Sequence, residues 1–123
     1  MEHIGDIFTN IAKTTRKVRF EELEFSAEGM EELEEIFKQI IENLALALQA
    51  FETFDQQLAT KVIKEHPKLL RHEKELRYSH FDRMQGGNEK TIATSAIHLD
   101  LLESILRVEG HAVNISQGVL GIV

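Results

Sequence analysis

The chain has 123 residues, 42% apolar and 28% charged, with a net charge of −7, no cysteine and no tryptophan. That balance suits one globular domain or part of a larger one and speaks against wholesale disorder, and the lack of cysteine excludes a disulfide scaffold, thiolate metal centres and a cysteine nucleophile. One proline and seven glycines are too few to punctuate an all-β fold, so the composition points to helices. The acidic excess opposes binding to phosphate backbones, so no nucleic-acid partner is expected. Asn43 to Phe51, an uncharged apolar stretch, is about half the roughly 20 residues of a membrane span. With no signal-peptide pattern at the start, the expected setting is soluble and cytoplasmic, with no membrane insertion of this segment.

Apolar spacing divides the chain into four helical segments. The first, Met1 to Val18, places Ile4, Ile7, Phe8, Ile11 and Val18 on one face. Glu2 and Asp6 near its start and Lys13, Arg16 and Lys17 near its end follow the order a helix dipole favours. It has no capping residue ahead of it, the pattern of a helix cut from a longer protein. A linker, Arg19 to Phe25, leads to Ser26, a candidate N-cap for a second helix reaching Phe54. There Leu33, Ile36, Phe37, Ile40, Ile41, Leu44, Ala47, Leu48 and Phe51 form the expected buried stripe.

Asp55 is the expected cap of a third helix running to Met84, with Val62, Ile63, Leu69, Leu70, Leu76, Phe81 and Met84 as its buried face. Pro67 is expected to bend that helix or divide it in two. Gln85-Gly86-Gly87-Asn88 ends it. The fourth helix, Lys90 to Gly118, carries two adjacent apolar stripes and so suits contact with two neighbours. One stripe is Ile97, Leu101, Ile105, Val108, Ala112, Ile115 and Val119. The other is Leu99, Leu102, Leu106 and Val113. The fold class is therefore all-α: an antiparallel bundle of three long helices with one further N-terminal helix. Glu21 to Glu35 holds eight glutamates and no basic residue, while Lys61 to Lys90 holds eight basic residues against five acids. These read as helix faces that attract each other across the bundle, or as a basic docking surface on the third helix.

Chemistry is sparse. Glu2 and Asp6 project from one helix face a turn apart, with Asn10 on the same row, and two such oxygen donors offer part of a shell for a hard or borderline cation. None of the histidines, His3, His66, His72, His80, His98 and His111, forms a His-x-x-x-His pair, so structural roles are expected for them. No nucleophile elbow, phosphate loop or dinucleotide fingerprint occurs, and catalysis is not expected. An internal repeat stands out: Arg107 to Ile115 lines up with His3 to Ile11, sharing the Asn-Ile pair and the apolar residue before the turn.

These residues resemble the PhoU family, most closely the PhoU-like cytoplasmic domain of bacterial sodium/phosphate cotransporters. That family ends its three-helix unit with Glu-Arg-Ile-Gly-Asp-His-Ala-x-Asn-Ile-Ala. Glu2, Ile4, Gly5, Asp6, Asn10, Ile11 and Ala12 match it, and His3, Ile7 and Phe8 depart. In the second copy Arg107, His111, Ala112, Asn114 and Ile115 match. His98 to Leu102 looks like the family's entry into that helix, and Glu73 to Arg77 with His80, Arg83 and Gly86-Gly87 looks like the transporter-linked branch.

The resemblance implies that residues 1–20 are the terminal helix of a truncated first repeat and 26–123 a complete three-helix repeat. It implies metal-ligand roles for Glu2 and Asp6, with iron or another divalent metal as the possible cofactor. The second copy has Leu106 and Gly110 where the family has its carboxylates, so no site transfers there. Glu103 and Arg107 read as an intrahelical ion pair. The implied function is a regulatory or scaffolding domain tied to sodium-dependent phosphate transport, acting on the transporter's membrane domain or another transport or signalling protein. The alternatives are a free-standing PhoU-type regulator and a metal-binding bundle with redox or hydrolytic activity. The apolar face of the first helix predicts a homodimer.

Overall fold

A computed structural model of the chain describes Thr9, residues 27–87 and residues 89–121. The first segment, the linker and Ser26 lie outside the described residues, Thr9 apart. The rest forms three helices, α1 (Ala27–Thr53), α2 (Gln56–Gln85) and α3 (Glu89–Leu120), each packed against the other two, with no strand among the described residues. The short turns make α1 and α2 antiparallel and α2 and α3 antiparallel, so α1 and α3 run in the same direction.

Three stripes meet on the axis. Leu33, Ile36, Ile40, Leu44 and Ala47 from α1 meet Val62, Leu69 and Leu76 from α2 and Leu101, Leu102, Ile105, Val108 and Ala112 from α3. Towards the α1–α2 turn the packing residues shrink to Ala50 and Ala59 against Val119, which lets the backbones approach. Several expected core residues lie elsewhere. Phe37, Leu48 and Phe51 of α1 and Leu70 and Phe81 of α2 are exposed, and Ile41, Ile63 and Met84 are half-buried. The apolar arc of each helix is wider than a three-helix core can cover, so its edges face outward.

The turns follow from local chemistry. Phe54 ends α1 in the left-handed region (φ 54), and the Asp55 N–H reaches back to the Ala50 carbonyl at 2.9 Å, the closure of a Schellman motif with phenylalanine where glycine is usual. Asp55 caps α2 as its sequence position suggests, its Oδ1 accepting from the N–H groups of Gln57 (2.9 Å) and Leu58 (3.1 Å). Gly87 (φ 78) supplies the left-handed residue after α2. Pro67 does not divide α2, which runs unbroken from Gln56 to Gln85 with the proline exposed on its surface. The ring's clash and the lost bond to the Ile63 carbonyl are absorbed within a helix whose neighbours hold it on both sides.

Candidate functional site

Two polar clusters interrupt the apolar axis. The central one is built by one residue from each helix. Glu109 of α3 is fully buried, Asn43 of α1 is buried beside it, and His66 of α2 is half-buried. Asn43 Nδ2 donates to Glu109 Oε1 at 2.8 Å and to the Val62 carbonyl at 3.4 Å. His66 Nδ1 lies 2.7 Å from Glu109 Oε2. A carboxylate oxygen accepts, so this nitrogen carries the proton. Both oxygens of the buried carboxyl therefore have a partner, the condition under which such a group is tolerated in a core.

The second cluster lies at the end where α2 passes into α3. His80 and His98 stack with ring centroids 4.4 Å apart, and each is about 1% exposed. His80 Nε2 is 2.9 Å from Ser95 Oγ, and that hydroxyl donates to the Met84 sulfur at 3.2 Å. The Ser95 hydroxyl and His80 Nε2 thus share one hydrogen bond, whose donor is set by the ring's tautomer. Burial, reinforced by the Arg83 charge, holds the His80 pKa below its ordinary value. Burial with His80, Arg83 and Arg77 nearby pushes His98 down to about 4. Both rings are thus neutral near pH 7. Arg83 crosses to α1 and pairs with Glu32, joining the acidic and basic halves of the chain.

Neither cluster has the geometry of catalysis. A serine beside a histidine suggests a nucleophile and its base, but no third group orients the ring through Nδ1, which is buried with no hydrogen-bond partner among the described residues. Glu109 and His66 resemble the rear two members of a triad, with no described nucleophile bonded to the ring.

Grooves of differing character mark the surface of the described residues. One of about 530 Å³ lies between α1 and α2 and mixes Lys61 and Lys68 with Glu42 and Glu65, the last already paired with Lys68 at 3.2 Å. Another of about 540 Å³ is acidic, with Glu28, Glu31, Glu35 and Asp82 around the Glu32–Arg83 pair. A third, about 260 Å³, is apolar and sits at the tip of the bundle between Phe51, Phe54, Ile115 and Val119. Phe51 and Phe54 are 62% and 69% exposed there.

The expected metal ligands Glu2 and Asp6 lie outside the described residues, as does His3. Among the described residues no group of three or more histidines and carboxylates is placed to hold an ion. His66, His72, His80 and His98 have structural partners; His72 Nδ1 meets Gln39 at 2.7 Å. Glu103 and Arg107 are both exposed and form no ion pair among the described residues, so the expected intrahelical pair is absent. The central cluster went unread in the sequence. Its signal was present: Glu109 falls seven residues after Leu102 and four after Ile105, a carboxyl on an apolar row.

No described helix is long and apolar enough to cross a membrane. The PhoU domain model matches residues 33–119, and the chain belongs to that family. Among curated proteins it is similar to the "Putative inorganic phosphate export protein YjbB" of Salmonella typhimurium, 29% identical over 96 residues, covering 78% of this chain and 18% of that protein. The proteins of the same name in Escherichia coli K12 and Shigella flexneri are 28% identical over the same extent. The chain thus spans about a fifth of the length of the curated relatives it matches. No solved structure matches it significantly.

Proposed function

We propose that this PhoU domain regulates or scaffolds sodium-dependent phosphate transport without catalysing a reaction, working on the cytoplasmic side by contact with the membrane part of a phosphate transporter. The observation that carries the reading is the family match over residues 33–119, together with relatives named for phosphate export of which the chain corresponds to a small part. The absence of an activated nucleophile or base in either described polar cluster supports a role through contact. Which way phosphate moves, and with which ion, belongs to the proposal and is read in the flux assay below.

The tip of the bundle is the surface best shaped for that contact. Phe54 is a bulky residue in a conformation that favours glycine, and its ring is spent on solvent beside an apolar groove. A chain optimised for stability alone would place glycine there. Phe54→Gly is expected to raise unfolding stability by about 0.5–1 kcal/mol. In cells carrying the whole gene it is expected to weaken the response of phosphate flux to phosphate supply. A variant both more stable and fully regulated would contradict a docking role for the tip.

A further inference from the structure

We propose that the chain forms a symmetric dimer through the outer groove between α2 and α3, with a two-fold axis parallel to the bundle. Two hydrogen bonds fix the levels of these antiparallel helices. One joins His66 to Glu109, and the other joins His80 to Ser95, fourteen residues on along α2 and fourteen back along α3. Within one residue of that register, Ile63 stands level with Val113, Leu70 with Leu106 and Met84 with Ile92, each series stepping by multiples of seven. Such a step keeps residues on one edge of a helix, so these rungs line a single groove. Leu70 and Ile92 are 39% and 51% exposed, and the other four are half-buried. Arg77, level with Leu99 in the remaining rung, has its charge met by Glu73 of its own helix.

From residue 63 to 84 the groove is about 32 Å long, and two helix flanks of about 10 Å each give it roughly 600 Å² per copy. A patch of that size lies at the top of the range for monomers and at the lower end of what one side of a specific interface buries.

Charge on the two rims selects a second copy as the occupant. Lys74 stands on the α2 rim and Glu103 on the α3 rim, within two residues of the same level. Both are exposed, and neither has an ion pair among the described residues. A half-turn about an axis parallel to the helices lays α2 on α3 of the second copy, antiparallel and at the same level. Each Lys74 then meets Glu103 of the other copy, twice per dimer. A half-turn about the perpendicular axis passes through the groove's midpoint, which falls beside Lys74, and sets that lysine against itself. Electrostatic complementarity therefore chooses the parallel axis.

Shape favours the same rotation. Pro67 is exposed on the α2 rim, within two residues of the level of Gly110 on the α3 rim. Gly110 leaves a gap there, since a Cβ at this position meets nothing within 4 Å. The rotation seats Pro67 of one copy at Gly110 of the other. Phe51 and Phe54 share their groove with α3, not α2, so the dimer leaves the proposed docking tip open.

The chain has no cysteine, so single replacements report the geometry. A mixture of Lys74→Cys and Glu103→Cys chains is expected to form the mixed disulfide at least tenfold faster than either variant pairs with itself. In sedimentation, the unaltered chain is expected to pass from monomer to dimer between about 1 and 300 µM. Gly110→Leu fills open space on a helix, so it is expected to keep the fold by circular dichroism while weakening dimerisation at least tenfold. Lys74→Glu is expected to weaken the dimer about tenfold, and Glu103→Lys in the same molecule to restore it. A monomer throughout that range, equal disulfide rates in the mixture and the single variants, a Gly110→Leu chain as dimeric as the unaltered one, or a charge swap that fails to restore association overturns the proposal.

Discussion

The two buried polar clusters answer the same problem in different ways. Around Glu109 one carboxyl draws a donor from each of the other two helices, and both its oxygens are used. Around His80 and His98 two neutral rings lie against each other, with the Arg83 charge nearby and the His80 Nδ1 left without a described partner. The first cluster ties three helices at one level and so fixes their register. The second is stable only while its rings stay uncharged, which makes that end of the bundle sensitive to acid. The Glu109 carboxyl thus fixes register through the bonds it accepts, although Asn43 Oδ1 beside it has no partner among the described residues. The stacked rings make their end of the bundle vulnerable to protonation.

Breaking the central cluster should have the largest effect. Glu109→Leu removes the acceptor for both Asn43 and His66, and is expected to cost about 3–4 kcal/mol in urea unfolding. Loss under 1 kcal/mol would show that the node does not hold the helices in register. The end cluster should respond to pH instead. His98 has a folded pKa near 4 against an ordinary 6.5, so the unfolded chain takes up the proton first as pH falls. Above pH 6.5 the ring is neutral in both states and costs nothing. Between pH 6.5 and 4 folding stability should drop by up to about 3 kcal/mol from this group, with a further share from His80. His98→Phe should keep the stack and remove most of that slope. A wild-type stability flat across the window would contradict the buried neutral pair. Asp55→Ala, which loses the cap on α2 far from both clusters, should cost only about 1 kcal/mol at every pH, and a pH-dependent loss would show that the turn is coupled to them.

Much of this was legible in the residues. The three long helices, the cap at Asp55, the glycine turn and the axial core of Leu33, Ile36, Ile40, Val62 and Leu101 follow from spacing and capping chemistry. Periodicity could not say where an apolar arc stops being buried, because that depends on how many helices surround it. Phe37 and Leu48 therefore looked like core and lie on an edge. Of the two outcomes expected at Pro67, a bend or a division, the division does not occur, because packing, which local propensity ignores, carries the helix through it. Glu109 was hidden for the opposite reason: a carboxyl on an apolar row reads as noise until Asn43 and His66 arrive from 66 and 43 residues away. The family signature at Glu2 and Asp6 was the clearest motif in the sequence, and it falls outside the described residues.

The most direct test of the functional reading is phosphate flux in cells carrying either the intact gene or one deleted for residues 33–119, measured under scarce and abundant phosphate. The account predicts that flux continues in the deletion but no longer changes with phosphate supply. Identical flux and identical regulation in the two strains would contradict it.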